Sequence, residues 1–149
     1  MLELHHLLAP TDFSEHSAVA LRHACAFAEK FGATLHLLHI LPEIVPIGPD
    51  PTLAAVMPPE YYTQTEEQAK QALGKILDPA WGRPAKVEYH LRWGEPVEGI
   101  LSHATSHPTD MIIIATHGRT GLSHMLLGSV AERIVRESPC PVLTVRGKP

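Results

Sequence analysis

The chain lacks most of the features that assign a chemistry directly. Its two cysteines, Cys25 and Cys140, stand far apart with no Cys-x-x-Cys pair, a usage that supports neither a disulfide scaffold nor a zinc site and reads as two small buried hydrophobes. No run of lysines and arginines occurs, and the formal net charge is −4. A grip on nucleic acid or anionic lipid, which needs a basic stripe or patch, is therefore not expected. Residues 1–10 include Glu3, His5 and His6 and no long apolar stretch. Neither a signal peptide nor a membrane span can be drawn there, and a cytoplasmic location is expected. No internal repeat or low-complexity segment interrupts the chain.

Familiar catalytic signatures are missing too. No G-x-G-x-x-G follows the first apolar run and no lysine precedes Ser129, so neither a dinucleotide fingerprint nor a Walker loop is present. Ser14, Thr116, Thr120, Ser123 and Ser129 offer hydroxyls, but none sits in a G-x-S-x-G elbow with an evident Ser-His-Asp partner. His103 and His107 have the i, i+4 spacing that puts two imidazoles on one helical face. No glutamate is interposed in an H-E-x-x-H arrangement, no third ligand can be named and Pro108 follows at once, so no metal site is assigned to the side chains. His36 and His39 read as satisfied core or edge histidines.

What is present is an alternation of strand and helix patterns over 149 residues, 44% of them hydrophobic, the size and composition of one domain spanning 1–149. Residues 2–9 form an apolar run of strand length, and Pro10-Thr11-Asp12-Phe13-Ser14 follows as a turn rich in helix-capping residues. Ala18, Leu21, Cys25 and Ala28 recur at helical spacing until Gly32, and residues 34–41 have the crowded aliphatic content of a second buried strand. Prolines at 42, 46, 49, 51, 58 and 59 make residues 42–59 a long loop, either a plain insertion or a cover over a site. A helix resumes around Tyr61, with Ala69, Ala72, Leu73, Ile76 and Leu77 on one face, and ends at Pro79. The Tyr61-Tyr62 pair that opens it reads as core or loop packing, for instance under the proline loop, rather than as a base-stacking platform. Residues 86–92 alternate Val87, Tyr89 and Leu91 with polar neighbours, as an edge strand with one wet face does. Gly94-Glu95-Pro96 opens a third helix bearing Val97, Ile100, Leu101 and Ala104. Residues 110–115 form an almost wholly aliphatic central strand, Val130, Ala131, Ile134 and Val135 mark a last helix, and Val142 to Val145 a fifth strand. The reading is an α/β fold, an open five-stranded parallel sheet with helices on both faces.

In such sheets ligands bind outside the carboxyl ends of the strands where strand order reverses. Two such ends carry suitable residues: Pro10-Thr11-Asp12, and Ala115-Thr116-His117-Gly118-Arg119-Thr120-Gly121 continuing to Gly128-Ser129. The glycines would let backbone N–H groups approach a phosphate, with the last helix's N-terminus behind them, or they serve tight turns. Asp12 either contacts the ligand or caps the first helix. His117 and Arg119 lie where they would neutralise phosphate charge, or are simply solvated.

Ala115-x-x-Gly118, nine residues and Gly128-Ser129 together resemble the G-x2-G-x9-G-[S/T] nucleotide loop of the universal stress protein family. The likeness extends to Pro10-Thr11-Asp12-Phe13-Ser14, Leu38-His39-Ile40, Gly94-Glu95-Pro96 and Pro139-Cys140-Pro141-Val142-Leu143, so that it covers essentially the whole chain. It implies strand order 3-2-1-4-5 in an adenine nucleotide α-hydrolase-like sheet, a homodimer through the last strand, and ATP bound by some members and absent from others. Carried over, Asp12 and Ile40 would face the ribose and adenine, while Gly118, Gly128, Ser129 and Val130 would contact phosphates carrying Mg²⁺ or Mn²⁺. Ala115 departs from the pattern, standing where the family has its first glycine; its methyl either crowds the nucleotide or is tolerated on a negative φ.

The resulting expectation is an ATP-binding stress-response regulator that works as a conformational switch or scaffold. The rivals are a nucleotide-free dimeric scaffold and a slow nucleotide hydrolase or transferase, for which only weak ATPase or autophosphorylation activity is expected.

Overall fold

The computed structural model describes residues 3–43, 57–118 and 127–147. Strand β1 (His6–Pro10) leads into helix α1 (Glu15–Phe31), then β2 (Thr34–Leu41), α2 (Pro59–Lys75), β3 (Lys86–Trp93), α3 (Pro96–Ser106), β4 (Met111–Ala115), α4 (Ser129–Glu137) and β5 (Val142–Val145). All four strand pairings are parallel and the order is β3-β2-β1-β4-β5, which is the order the resemblance implies.

Local chemistry accounts for the element boundaries. Ser14 caps α1 by accepting from the Ser17 N–H at 3.1 Å, and Gly32, at φ 65°, closes the helix in the left-handed conformation that glycine takes without a Cβ penalty. Pro96 occupies the first turn of α3, where its missing N–H costs nothing, and the Glu95 carboxylate accepts from Glu98 N–H at 2.9 Å.

Alternation along the strands sorts the core into two layers. Leu7, Ala9, Leu35, Leu37 and Ile113 face α1 and α2, where Leu21, Ala24, Cys25, Ala28 and Leu73 meet them. Leu8, Leu38, Ile112 and Ile114 face α3 and α4, against Val97, Ile100, Ala104 and Ile134. Burying each large aliphatic side chain contributes roughly 1.5–3 kcal/mol, so these layers dominate the stabilisation.

Several details differ from the sequence reading. Helix α2 begins at Pro59 rather than Tyr61, and Ala72 is exposed while Ala69 and Leu73 are buried, because only part of a broad apolar stripe meets a sheet near its edge. A short 3-10 turn, Pro79–Trp81, follows α2, held by the Asp78 carboxylate accepting from Ala80 N–H. Val135 is 49% exposed and Cys140 only half-buried, since α4 and β5 lie at the sheet margin. Tyr62 packs edge-on against Trp93 at 5.2 Å. Most of the expected proline loop, residues 44–56, lies outside the described residues. β3 is an edge strand, but its polar face is not simply wet: His90 is half-buried beneath α3, while Tyr89 on the apolar side is 49% exposed.

Candidate functional site

Strand order reverses between β1 and β4, and the carboxyl ends of β1, β2 and β4 surround a cavity of about 410 Å³ there. Pro10, Thr11, Asp12, Ile40, Ala115, His117, Gly118, Gly128, Ser129 and Val130 all line it. Every expected site residue except Arg119, which lies outside the described residues, is thus brought to one cavity.

The β1 side is a tightly bonded turn. Thr11 N–H donates to Leu38 O at 2.9 Å, tying the turn to β2. Ser17 Oγ donates to Ser14 O at 2.9 Å, so in its 3.0 Å contact with Thr11 Oγ1 the threonine is the donor. Thr11 Oγ1 in turn accepts from Phe13 N–H at 3.1 Å. These bonds hold Phe13 at φ 64°, which a bulky L-residue adopts only under constraint. Asp12 Oδ1 accepts from Ser14 N–H at 2.9 Å. The helix cap itself is Ser14, which settles one of the alternative roles of Asp12. Buried His39 donates from Nδ1 to Thr11 O at 2.7 Å and stacks obliquely on Phe13 at 4.3 Å, which makes it the satisfied core histidine anticipated.

The β4 side is a close fit of backbone. A Cβ on Gly118 would lie 2.8 Å from Asp12 Oδ2, the end of a side chain that can shift, whereas one on Gly128 would lie 3.0 Å from the backbone oxygen of Thr116, a tighter constraint. Gly128 N–H donates to Thr116 O at 2.6 Å. In this arrangement that N–H is engaged within the protein, while Gly128 itself lines the cavity. Ser129 and Val130, in the first turn of α4, carry N–H groups that the helix itself leaves without acceptors. Ala115 is not among the residues with positive φ. Its methyl is accommodated by an ordinary strand backbone, and the residue pairs with Val145.

The third wall is apolar: Leu38, Ile40, Ile100 and Ile114, with Pro42 and Pro96 at its rim. Here Gly99 has a role the sequence reading missed. A Cβ on it would fall 2.6 Å from Ile40 Cδ1, so a glycine inside α3 lets the helix close on that isoleucine. The legible signal was an isolated glycine in an otherwise regular helical pattern.

Residues 3–146 match the Universal stress protein family. The chain belongs to that family. Among relatives, Universal stress protein MJ0531 of Methanocaldococcus jannaschii is 34% identical over 143 residues, covering 94% of this chain and 81% of the relative. The solved structure of hypothetical protein MJ0577 from the same organism is 32% identical, covers 99% of both chains and superposes with a TM-score of 0.79. A universal stress protein crystallised in complex with cAMP shares the fold at 20% identity and a TM-score of 0.69, with 97% of this chain and 98% of that one covered. Within the family's fold, the cavity joins the two strand ends that the sequence had singled out. No helix among the described residues is long and apolar enough to cross a membrane.

Proposed function

We propose that the chain binds an adenine nucleotide in this cavity, ATP with Mg²⁺ or Mn²⁺ on its phosphates, and acts as a stress-response switch whose surface changes with occupancy. The observation that carries the reading is the division of one cavity into an apolar wall and a wall of close-packed backbone. Its 410 Å³ falls within the roughly 300–1,000 Å³ of small-molecule sites. Ile40, Ile100 and Ile114 offer a flat ring an apolar face. Asp12, with Oδ1 engaged by Ser14 N–H, directs its acceptor capacity at ribose hydroxyls. Gly118 leaves no Cβ in the path of a phosphate, and the first turn of α4 supplies Ser129 and Val130 N–H groups, the Ser129 hydroxyl and the positive end of the helix dipole. Arg119 and His117 are assigned to phosphate charge. The metal ion would be held by the phosphates, which suits Mg²⁺ or Mn²⁺.

Occupancy would change the surface around the carboxyl ends of β2 and β4, and a second copy pairing along β5 would read that change. No hydrolytic step is part of the proposal; His117 Nδ1 is already 3.0 Å from the Thr116 hydroxyl.

Calorimetric titration tests the reading. Mg-ATP is expected to saturate at one per chain. Asp12→Asn keeps the turn-forming acceptor but loses the charge, and is expected to weaken binding about tenfold through the lost charge-assisted bonds. Failure of the parent protein to bind Mg-ATP would overturn the reading in favour of a nucleotide-free scaffold.

A further inference from the structure

A second group of chemistry-bearing side chains lies at the opposite end of the sheet from the cavity. His36 on β2 and His90 on β3 point to the face covered by α3, whose last turn brings His103 over them. One ring nitrogen from each of the three lies within 4.8 Å of the others. Glu88, opposite His36 in the β2–β3 register, places Oε2 3.3 Å from His36 Nδ1 and 3.8 Å from His90 Nε2.

We propose that His36, His90 and His103 form a binding site for a divalent transition-metal ion, Zn²⁺ being the ion they suit best, with the Glu88 carboxylate as fourth ligand. Three imidazoles and a carboxylate are a donor set that zinc accepts in tetrahedral geometry. Zinc–nitrogen bonds of about 2.0–2.1 Å place tetrahedral ligand atoms about 3.4 Å apart. His36 Nδ1 and His90 Nε2 are already 3.1 Å apart, and the widest separation closes by about 1.4 Å, which side-chain rotation supplies.

Two further observations favour a ligand over a merely packed histidine layer. His103 is 2% exposed, and its Nε2 has no hydrogen-bond partner among the described residues. A buried polar atom in that condition costs desolvation without return unless something coordinates it. In addition, His36 is backed as metal-bound histidines usually are: its Nε2 lies 3.0 Å from His6 Nδ1 on β1, so that with Nδ1 on the metal the second nitrogen donates to a neighbour that fixes the ring. Burial also lowers the proton affinity of His36, His90 and His103, with that of His103 falling to about 3; the neutral imidazole is the form that gives its lone pair to a metal.

His103 lies one turn along α3 from Ile100, which lines the nucleotide cavity. A bound ion would therefore pin the helix forming one cavity wall to β2 and β3. The metal site itself does not depend on the nucleotide reading.

The test uses the full chain without an affinity tag, stripped with chelator and titrated with Zn²⁺ alone by calorimetry, with Co²⁺ absorption as a second readout. One Zn²⁺ per chain and a tetrahedral Co²⁺ band are expected. His90→Gln, at a half-buried edge position where folding should survive, is expected to lower affinity at least about tenfold, as is His103→Gln if it folds by circular dichroism. His23→Gln, on the exposed side of α1, should leave affinity unchanged. Absence of saturable Zn²⁺ binding, or a His90→Gln protein that binds as the parent does, would overturn the proposal.

Discussion

Asp110 shows how one side chain can anchor a strand start. Its Oδ2 accepts from the backbone N–H groups of His5 at 2.7 Å and His6 at 2.8 Å, while its own N–H donates to His6 O at 2.8 Å. Partial burial pushes its carboxyl pKa up, but the two backbone bonds, helped by the neighbouring histidines, outweigh that and hold it below the usual value. The unfolded chain therefore takes up this proton first as pH falls. The Asp110 contribution is fully present above about pH 4 and is lost as pH drops through the lower native value. Urea midpoints measured between pH 5 and pH 3 should fall more steeply for the parent than for Asp110→Asn. Equal slopes would show that the two backbone bonds do not favour the ionised form. Nothing in the sequence marked this aspartate, because its partners lie more than 100 positions away and are backbone groups. Asp12 was easier to find, since the capping residues around it announce a turn, although sequence alone left open whether it contacts the ligand or caps the helix.

Among the elements, β5 carries a consequence for assembly. The carbonyl of Pro141, just before β5, accepts from Ile112 N–H on β4, and that of Val145 accepts from Thr116 N–H just after β4, so in a parallel ladder the alternate residues Val142 and Thr144 turn their peptide groups to the open edge. Among the described residues no strand pairs with this edge, and an unpaired edge invites another strand; the proposed homodimer would form there. Thr144→Pro removes an outward donor while leaving the β4 ladder intact; light scattering is expected to show a dimer for the parent and a monomer for the variant. A parent that is monomeric at all concentrations would contradict this interface. Most elements were legible because strand and helix periodicities differ sharply. β4, aliphatic at nearly every position, cannot be anything but doubly covered, and Gly32 and Pro96 sit where helix chemistry demands them. β3 was only half legible. Alternation shows that a strand has two faces and not whether something returns to cover the polar one; α3 does so, which is why the pair His103 and His107 seemed to have no third ligand in sequence while His36 and His90 wait beneath the helix.

At the scale of the whole molecule, one helix connects the two ends of the sheet. α3 closes the cavity at its amino end through Ile100 and Gly99 and meets the histidine cluster at its carboxyl end through His103. The cavity itself was legible because a doubly wound sheet has one place for a ligand, and the residues at that place were of the right kind. Its apolar wall was not, since Leu38, Ile100 and Ile114 look in sequence like any other core residues. The central claim is that this cavity takes a nucleotide with its phosphates over Gly118. A ligand that binds only the folded chain stabilises it, by about 2.7 kcal/mol at a hundred times the dissociation constant, roughly 5–10 °C in melting temperature for a chain of this size. The decisive measurement is the melting temperature with and without Mg-ATP for the parent and for Gly118→Glu, which drives a carboxylate toward Asp12 and into the phosphate position. A rise of this order is expected in the parent and none in the variant. An unchanged parent, or a variant that rises equally, would contradict it.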